Sequence, residues 1–270
     1  MRRSDPIQGG RPDIFAKRRN EGLAFLALMV VLTAGSVALT RYDFVKGFVS
    51  VFKAIVWGAS NFYPDSESVR YLPDMLRKLW ETVLMAIAAT TVASVFACLL
   101  ALVGSRTTRM NRFFSVVARG IASLFRNFPL VAWAMVLMLA FSQSLLTGYL
   151  ALFFGSLGFL TRAFIETIDE VGGSTVEALR ATGAGYFHII FQAVLPSSLP
   201  QMVSWLLFMI DTNIRDAVLV GFLTGTGIGF LFDIYYKSFD FHASSLVTLL
   251  SAATVIVVEI LSNSLRRVIM

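Results

Sequence analysis

EALRATGAGYFHIIFQAVLP, residues 177–196, is a segment with a polar start and an apolar end that stands between two long hydrophobic runs. It has two glycines in its middle and ends in Leu-Pro. The whole 270-residue chain is 56% hydrophobic and only 15% charged. A water-soluble domain cannot bury so much apolar surface, so the composition predicts an all-α membrane protein in which this segment is a loop.

Six apolar runs are long enough to cross a bilayer, since a helical span needs roughly 20 mostly apolar residues. They cover residues 22–39, 80–103, 113–142, 145–168, 199–222 and 243–261. The third run is interrupted by RNFP at residues 126–129. Pro129 and Pro200 are each expected to disturb a helix interior or to mark a first turn. The hydropathy therefore predicts about six transmembrane helices.

The distribution of Lys and Arg sets the predicted orientation. With the N-terminus in the cytoplasm, twelve of the 23 basic residues lie inside, seven lie outside and four lie within spans. This orientation makes residues 1–21 a basic cytoplasmic tail and places the C-terminus and the loop 172–197 in the cytoplasm. It also accounts for the net charge of +6 without a nucleic-acid partner.

The stretch between the first two spans has helical periodicity. Phe44, Phe48 and Phe52 recur on one face, and Lys46 and Lys53 lie on the other. This pattern predicts an amphipathic helix on the outer membrane surface, with a half-buried seventh segment as the alternative. The predicted domains are the tail, residues 22–79 with the first span and this helix, and the membrane domain 80–270.

The sequence lacks three common motifs of nucleotide binding and hydrolytic chemistry. It has no G-x-x-x-x-G-K-[ST] loop, no H-E-x-x-H and no G-x-S-x-G. The single cysteine, Cys98, cannot form an internal disulfide, and the two histidines, His188 and His242, are far apart in the sequence. We therefore expect no catalytic residue, no metal site and no cofactor on this chain.

Charged and amide side chains interrupt the fifth span. Asp211, Asn213 and Arg215 lie within an apolar run, where a charge costs several kcal/mol. Asp211 and Arg215 are four residues apart and share a helix face. They are interpreted either as a pair that locks helices together or, with Asn213, as the polar lining of a solute path. Arg215 is the stronger candidate for binding an anion because guanidinium can bind an oxyanion with two hydrogen bonds.

Arg126 stands at the interruption of the third run. Broken membrane helices are tolerated where they are buried or line a cavity, so Arg126 is a second candidate for the solute path. The alternative is an arginine that extends to the membrane surface. Arg162 and Glu166, four residues apart near the inner end of the fourth span, are predicted to form a structural pair.

Four glycines crowd the end of the fifth span. They either form a plain loop or allow close helix contact and an abrupt chain reversal. These structural glycines are Gly221, Gly225, Gly227 and Gly229.

The 177–196 segment is predicted to be a docking element. EALRATGAG is expected to form one short helix followed by a glycine turn, and YFHIIFQAV a second, apolar piece that Pro196 ends. The small side chains Ala178, Ala181 and Ala184 offer a shallow surface that another protein can approach closely. A cytoplasmic loop with this much apolar surface is rarely only solvated.

This segment resembles the coupling loop of binding-protein-dependent ABC importer permeases, E-A-A-x-x-x-G followed nine residues later by I-x-L-P. The matching residues are Glu177, Ala178, Gly183, Leu195 and Pro196. Leu179 replaces the second alanine and Ala193 replaces the isoleucine, which are mild departures. The resemblance covers roughly residues 72–270 and implies a type I importer permease fold in a bacterial inner membrane.

Other stretches resemble the phosphonate importer permeases. RNFPLVAWAMVLMLAF, DTNIRDAVLVGFLTGTGIG and LSNSLRRVI carry this likeness, with Asp211, Asn213 and Arg215 matching an acid-x-Asn-x-Arg cluster. The resemblance implies a homodimer of permeases, two ATPase subunits that hold ATP and Mg, and an extracytoplasmic solute-binding protein. It implies uptake of phosphonates or a related phosphorus oxyanion such as phosphite.

Three alternatives stay open at this stage. The first is a permease of the same superfamily for another solute, such as methionine. The second is a membrane-embedded enzyme that uses Asp211 and Asp216 on a lipid-like substrate. The third is a channel that acts without partners.

Overall fold

The computed structural model describes residues 14–269, without the side chains at 14–16, 172–175, 180 and 268–269. The regular elements of this part of the chain are all helical. Residues 1–13 of the predicted tail, which spans residues 1–21, lie outside the described residues. The helices are α1 Ile14–Thr40, α2 Phe44–Asn61, α3 Leu72–Gly104, α4 Arg112–Asn127, α5 Leu130–Phe141, α6 Leu145–Ala181, α7 Tyr186–Ile189, α8 Leu195–Thr224, α9 Gly227–Lys237 and α10 Phe241–Ile269.

Five stretches of helix in the described chain are long and apolar enough to cross a membrane, and a bent pair forms a sixth candidate. The bent pair is α4 and α5, whose axes meet at 94°. Phe128 has an extended backbone (φ −90°, ψ 120°), as the residue before a proline prefers, and Pro129 is the N-cap of α5. The predicted break at residues 126–129 is therefore confirmed, and the described chain has five candidate spans, or six if the bent pair counts as one.

Several helices extend beyond their apolar runs, which corrects two predictions about the 177–196 segment. Glu177 and Ala181 do not belong to a separate short helix, because α6 continues unbroken from Leu145 to Ala181. Pro196 does not end a helix either. It lies in the first turn of α8, and a π-helical turn at Ile190–Val194 joins α7 to α8 without a break.

The chain divides into two compact units, one up to Ser60 and one from Asn61. The first unit contains α1 and α2. The predicted amphipathic segment is a helix, Phe44–Asn61, with no buried residue, and it is not among the candidate spans of the described chain. Its position on the outer membrane surface remains a prediction.

Small side chains hold the helices of the second unit together. Five alanines at Ala86, Ala89, Ala93, Ala97 and Ala101 along one face of α3 are fully buried, and α3 packs mainly against α6 and α8. Lipid supplies little hydrophobic drive for helix association, so close backbone approach over small residues supplies much of the contact energy. The result is a three-helix centre that positions the polar residues of α8.

Candidate solute path and coupling surface

An acid–arginine pair lies near the middle of α8. Asp211 is 4% exposed, and Arg215 donates to its Oδ2 through a terminal guanidinium nitrogen. The predicted one-turn pairing is therefore present. Asp211 Oδ1 is buried and accepts no hydrogen bond from any described residue. The Arg215 side chain is 48% exposed, so half of this cation is presented outside the protomer.

Asn213 lies inside the protomer, not on an open surface. It is 1% exposed, and its Nδ2 donates to Thr90 Oγ1 of α3 at 2.6 Å and to Ser156 Oγ of α6 at 2.5 Å. Both hydroxyls donate in turn to carbonyls of their own helices. Asn213 therefore joins α3, α6 and α8, and both amide donors are in use.

The two candidate path arginines line different cavities. Arg215 lies at the edge of a cavity of about 430 Å³ formed by side chains of α8, α9 and α10. Arg126, in the last turn of α4, lies in another cavity of about 600 Å³ between α4, α6 and the loop after α3. The structure does not bring Arg126 and Arg215 together into one cavity.

The four glycines at the end of α8 form a tight hairpin, which settles the alternative left open by the sequence. A Cβ at Gly229 of α9 would overlap the carbonyl oxygen of Val218, and one at Gly221 would overlap that of Thr226. Gly225 ends α8 with a φ of +67°. The helices α8 and α9 are therefore in backbone contact.

Gly227 completes this hairpin on the side of α3. Its φ is +61°, and a Cβ there would overlap Thr82 Oγ1. The same hydroxyl accepts the N–H of Ile228 at 2.9 Å. Because Thr82 is remote in sequence, this anchor of α9 on α3 had no signal in the sequence.

Gly183 closes the C-terminus of α6 in a Schellman motif. Its φ is +80°, and the N–H of Ala184 donates to the carbonyl of Leu179 at 3.1 Å. Gly185, two residues later, has an ordinary φ of −70°. The glycine turn predicted from the sequence is present, and it requires glycine at position 183 only.

The 177–196 segment presents an exposed surface over a buried anchor. Glu177, Ala178 and Ala181 are exposed, as are the rings of Phe187 and Phe191 at 70% and 64%. The anchor is one hydrophobic cluster shared with the ends of α3 and α6, and it includes Val176, Ile189 and Val194. Leu195 is half-buried and Pro196 is exposed. The exposed surface and the helix core are therefore joined through one packed cluster.

Asp169 organises the loop after α3, a role that the sequence analysis missed. Its Oδ1 accepts from Ser105 Oγ at 2.5 Å and from the backbone N–H groups of Arg106 and Thr107 at 2.7 and 3.1 Å. Arg119 pairs with Oδ2 at 3.4 Å. In the sequence, Asp169 stands out only as an acidic residue at the end of a span. Its partners are more than 45 residues away, so the sequence gives no sign of these contacts.

The opposite end of the unit carries a small polar cluster around His242. His242 Nδ1 lies 2.6 Å from the carbonyl oxygen of Tyr63. Nearby, the backbone N–H of Ser68 donates to Asp65 at 2.7 Å and lowers the pKa of that carboxyl below its usual value. Among the described residues, no three His, Cys, Asp or Glu side chains are grouped to hold a metal ion.

The comparisons with known proteins agree with this architecture. A family model described as binding-protein-dependent transport system inner membrane component matches residues 93–269. The phosphate-import permease protein PhnE of Mycolicibacterium smegmatis is 30% identical over 190 residues, 70% of this chain but only 36% of that protein. The phosphite transport system permease protein PtxC of Stutzerimonas stutzeri is 30% identical over 192 residues, 71% of this chain and 70% of that protein.

A solved structure shares the fold. The MetNI methionine ABC transporter in inward-facing conformations contains a chain that superposes with a TM-score of 0.65. The match covers 74% of this chain and 98% of that chain, at 19% identity. These findings confirm the resemblance and the multi-pass all-α fold predicted from the sequence. The chain belongs to the family of binding-protein-dependent transport system inner-membrane components.

Proposed function

We propose that this chain forms the translocation path of an ATP-driven importer for phosphonates or a related phosphorus oxyanion such as phosphite. In this proposal two copies of the chain assemble with two ATPase subunits, which hold ATP and Mg, and with an extracytoplasmic solute-binding protein. The 177–196 segment and both termini face the cytoplasm of a bacterial cell. The names of the relatives support the solute class.

The half-exposed guanidinium of Arg215 is the observation that carries the proposal. A charge near the middle of a span costs about 2.5–3.5 kcal/mol even on insertion scales, so such residues face a bundle interior or water rather than lipid. Among the described residues, Arg215 forms an ion pair with the carboxylate of Asp211. Its free half is therefore available to an anion in a water-filled path between two copies. The hydrogen bonds of Asn213 fix the rotation of α8 about its axis, and this rotation leaves Arg215 exposed.

The 177–196 segment supplies the connection to ATP hydrolysis. Its exposed alanines and phenylalanines fit a groove on a partner protein, and its buried side is continuous with the cores of α3, α6 and α8. Closure of the ATPase pair would move these helices and shift the bundle between outward-open and inward-open packings. Binding in the path must remain weak enough for the solute to leave.

Uptake by the reconstituted complex tests the proposal. Proteoliposomes with the ATPase and the binding protein are assayed with radiolabelled phosphite, phosphate, methylphosphonate and methionine. We expect ATP-dependent uptake of at least one phosphorus oxyanion, and at least tenfold less with Arg215→Gln, while the ATPase still co-purifies. Arg77→Gln, an exposed arginine at the start of α3 and outside the cavity of Arg215, is the matched control and should transport normally.

Two outcomes contradict the proposal in different ways. Uptake of methionine without uptake of any of the three phosphorus oxyanions overturns the solute class. Normal uptake by Arg215→Gln removes this arginine from the path.

A further inference from the structure

The cavity beside Arg126 has an unusual lining for a membrane span. It measures about 600 Å³ and lies between α4, α6 and the loop after α3. Four arginines and two carboxylates line it. They are Arg106, Arg119, Arg126, Arg162, Glu166 and Asp169. A cavity of this size is large enough for a hydrated tetrahedral anion.

The positive charge of this cavity is not balanced from within. Arg162 pairs with Glu166 at 2.6 Å, and Arg119 pairs with Asp169 at 3.4 Å. The guanidinium groups of Arg106 and Arg126 make no hydrogen bond or ion pair to any described residue. Both carboxylates are therefore engaged, and the cavity holds two uncompensated arginines.

The spacing along α4 places its arginines in a row. Arg112, Arg119 and Arg126 are seven residues apart, which puts them on one helix face with about 10.5 Å between successive residues. Arg119 and Arg126 line the cavity, and Arg112 lies outside it. The row runs from the start of α4 to the bend between α4 and α5.

The backbones that carry the two free arginines are fixed in place. A Cβ at Gly158 of α6 would overlap the backbone nitrogen of Arg126 and lie 2.7 Å from the carbonyl carbon of Phe125. The end of α4 therefore rests directly on α6. The loop carrying Arg106 is held by Asp169, which accepts the Arg106 N–H at 2.7 Å. Such fixed backbones lower the entropy cost of binding an anion between the two side chains.

We propose that this cavity is a binding site for a phosphate-type oxyanion, held by Arg106 and Arg126 with Arg119 and Arg162 alongside. Guanidinium forks match the oxygen geometry of phosphate and bind it with two parallel hydrogen bonds. The cavity lies at the same end of the bundle as the 177–196 segment, since Ala101 and Ile168 share a cluster with Val176. The site therefore lies at the predicted cytoplasmic end of the bundle.

This inference rests on the proposed function in one respect: the anion is taken to be the imported solute as it leaves the permease for the cytoplasm. The same chemistry recognises the phosphate of an anionic lipid of the inner leaflet. The two sources are distinguished by the membrane used in the experiment.

The test measures binding of inorganic phosphate to the purified permease–ATPase complex in nanodiscs by titration calorimetry. In phosphatidylcholine nanodiscs we expect Arg126→Gln and Arg106→Gln each to weaken phosphate binding at least about tenfold, as expected for a lost charge-assisted contact. Arg112→Gln, on the same helix face but outside the cavity, should stay within about twofold of wild type. Arg106 is exposed, and its guanidinium makes no hydrogen bond or ion pair in the described chain, so we expect its substitution to leave the fold intact.

A second arm uses nanodiscs that contain phosphatidylglycerol. If free phosphate binds equally well there, the soluble anion is the ligand. If phosphatidylglycerol suppresses phosphate binding in wild type, and native mass spectrometry finds less bound phosphatidylglycerol in Arg126→Gln, the lipid phosphate shares the site. Unchanged binding in both cavity variants, or no binding in either membrane, overturns the inference. Because uptake is not measured, failure of the importer proposal and failure of this site are separate results.

Discussion

Replacing Asn213 with leucine tests whether this residue is a structural joint of α3, α6 and α8. Leucine is similar in volume but removes the donors to Thr90 and Ser156. Interhelical hydrogen bonds in membranes contribute about 0.6 kcal/mol on average and at most about 1.7 kcal/mol. Both hydroxyls keep a bond to their own helix, so no donor is orphaned. We expect a loss of about 1.2 kcal/mol, with an upper bound of about 3.4 kcal/mol.

Equilibrium unfolding in mixed dodecylmaltoside and SDS micelles, followed by tryptophan fluorescence, measures this loss. Thr212→Val is the matched control, because the Thr212 hydroxyl donates to the Phe208 carbonyl of its own helix at 3.0 Å and to no other described residue. It should change stability by less than about 0.5 kcal/mol. A double-mutant cycle of Asn213→Leu with Thr90→Val should show a coupling of about 0.6 kcal/mol. Full additivity, or an unchanged stability of Asn213→Leu, would refute the argument.

Three further predictions follow from the turns and caps. Gly183→Ala should cost about 1–2 kcal/mol because of its positive φ, and should increase hydrogen exchange around the end of α6, whereas Gly185→Ala should not. Gly229→Ala should lower thermal stability by about 1–3 kcal/mol, since its Cβ meets a backbone oxygen of α8; an unchanged melting temperature contradicts the backbone contact. The pKa of Asp65 is lowered in the folded state because Ser68 donates its N–H to this carboxylate. The contribution of Asp65 to stability is therefore present above its unfolded pKa and is lost as pH falls through its folded pKa. Asp65→Asn should make the free energy of unfolding less dependent on pH in the acid range, and an unchanged pH dependence contradicts this.

The sequence was sufficient wherever the deciding physics is local. Spans follow from the length of apolar runs against the thickness of a bilayer, and the bend at residues 126–129 follows from the backbone restriction that proline imposes. The pair of Asp211 and Arg215 follows from helical spacing alone. The glycine turn of the 177–196 segment was predictable because its residues are close neighbours in the sequence.

The helix ends predicted from hydropathy and from proline positions were wrong in the 177–196 segment. An apolar run ends where the helix leaves the membrane, but the helix itself can continue into water. The helix α6 therefore extends to Ala181 through residues that are too polar to count as part of a span. Pro196 was expected to end a helix, yet the helix continues through it after the π-helical turn at Ile190–Val194. In both places, packing against the shared cluster at the ends of α3 and α6 maintains the helix.

What only the tertiary structure decided is the rotation and contact of helices that are distant in sequence. It turned Asn213 toward Thr90 and Ser156, 123 and 57 residues away, and left Arg215 half exposed on the same helix. It placed Arg126 in a cavity with Arg106 instead of beside Arg215. The amino-acid sequence by itself determined an all-helical membrane chain, the break at residues 126–129 and the glycine turn at Gly183, because these depend on composition and near neighbours. Which polar groups meet depends on how small residues let the helices approach, and that is a property of the whole bundle.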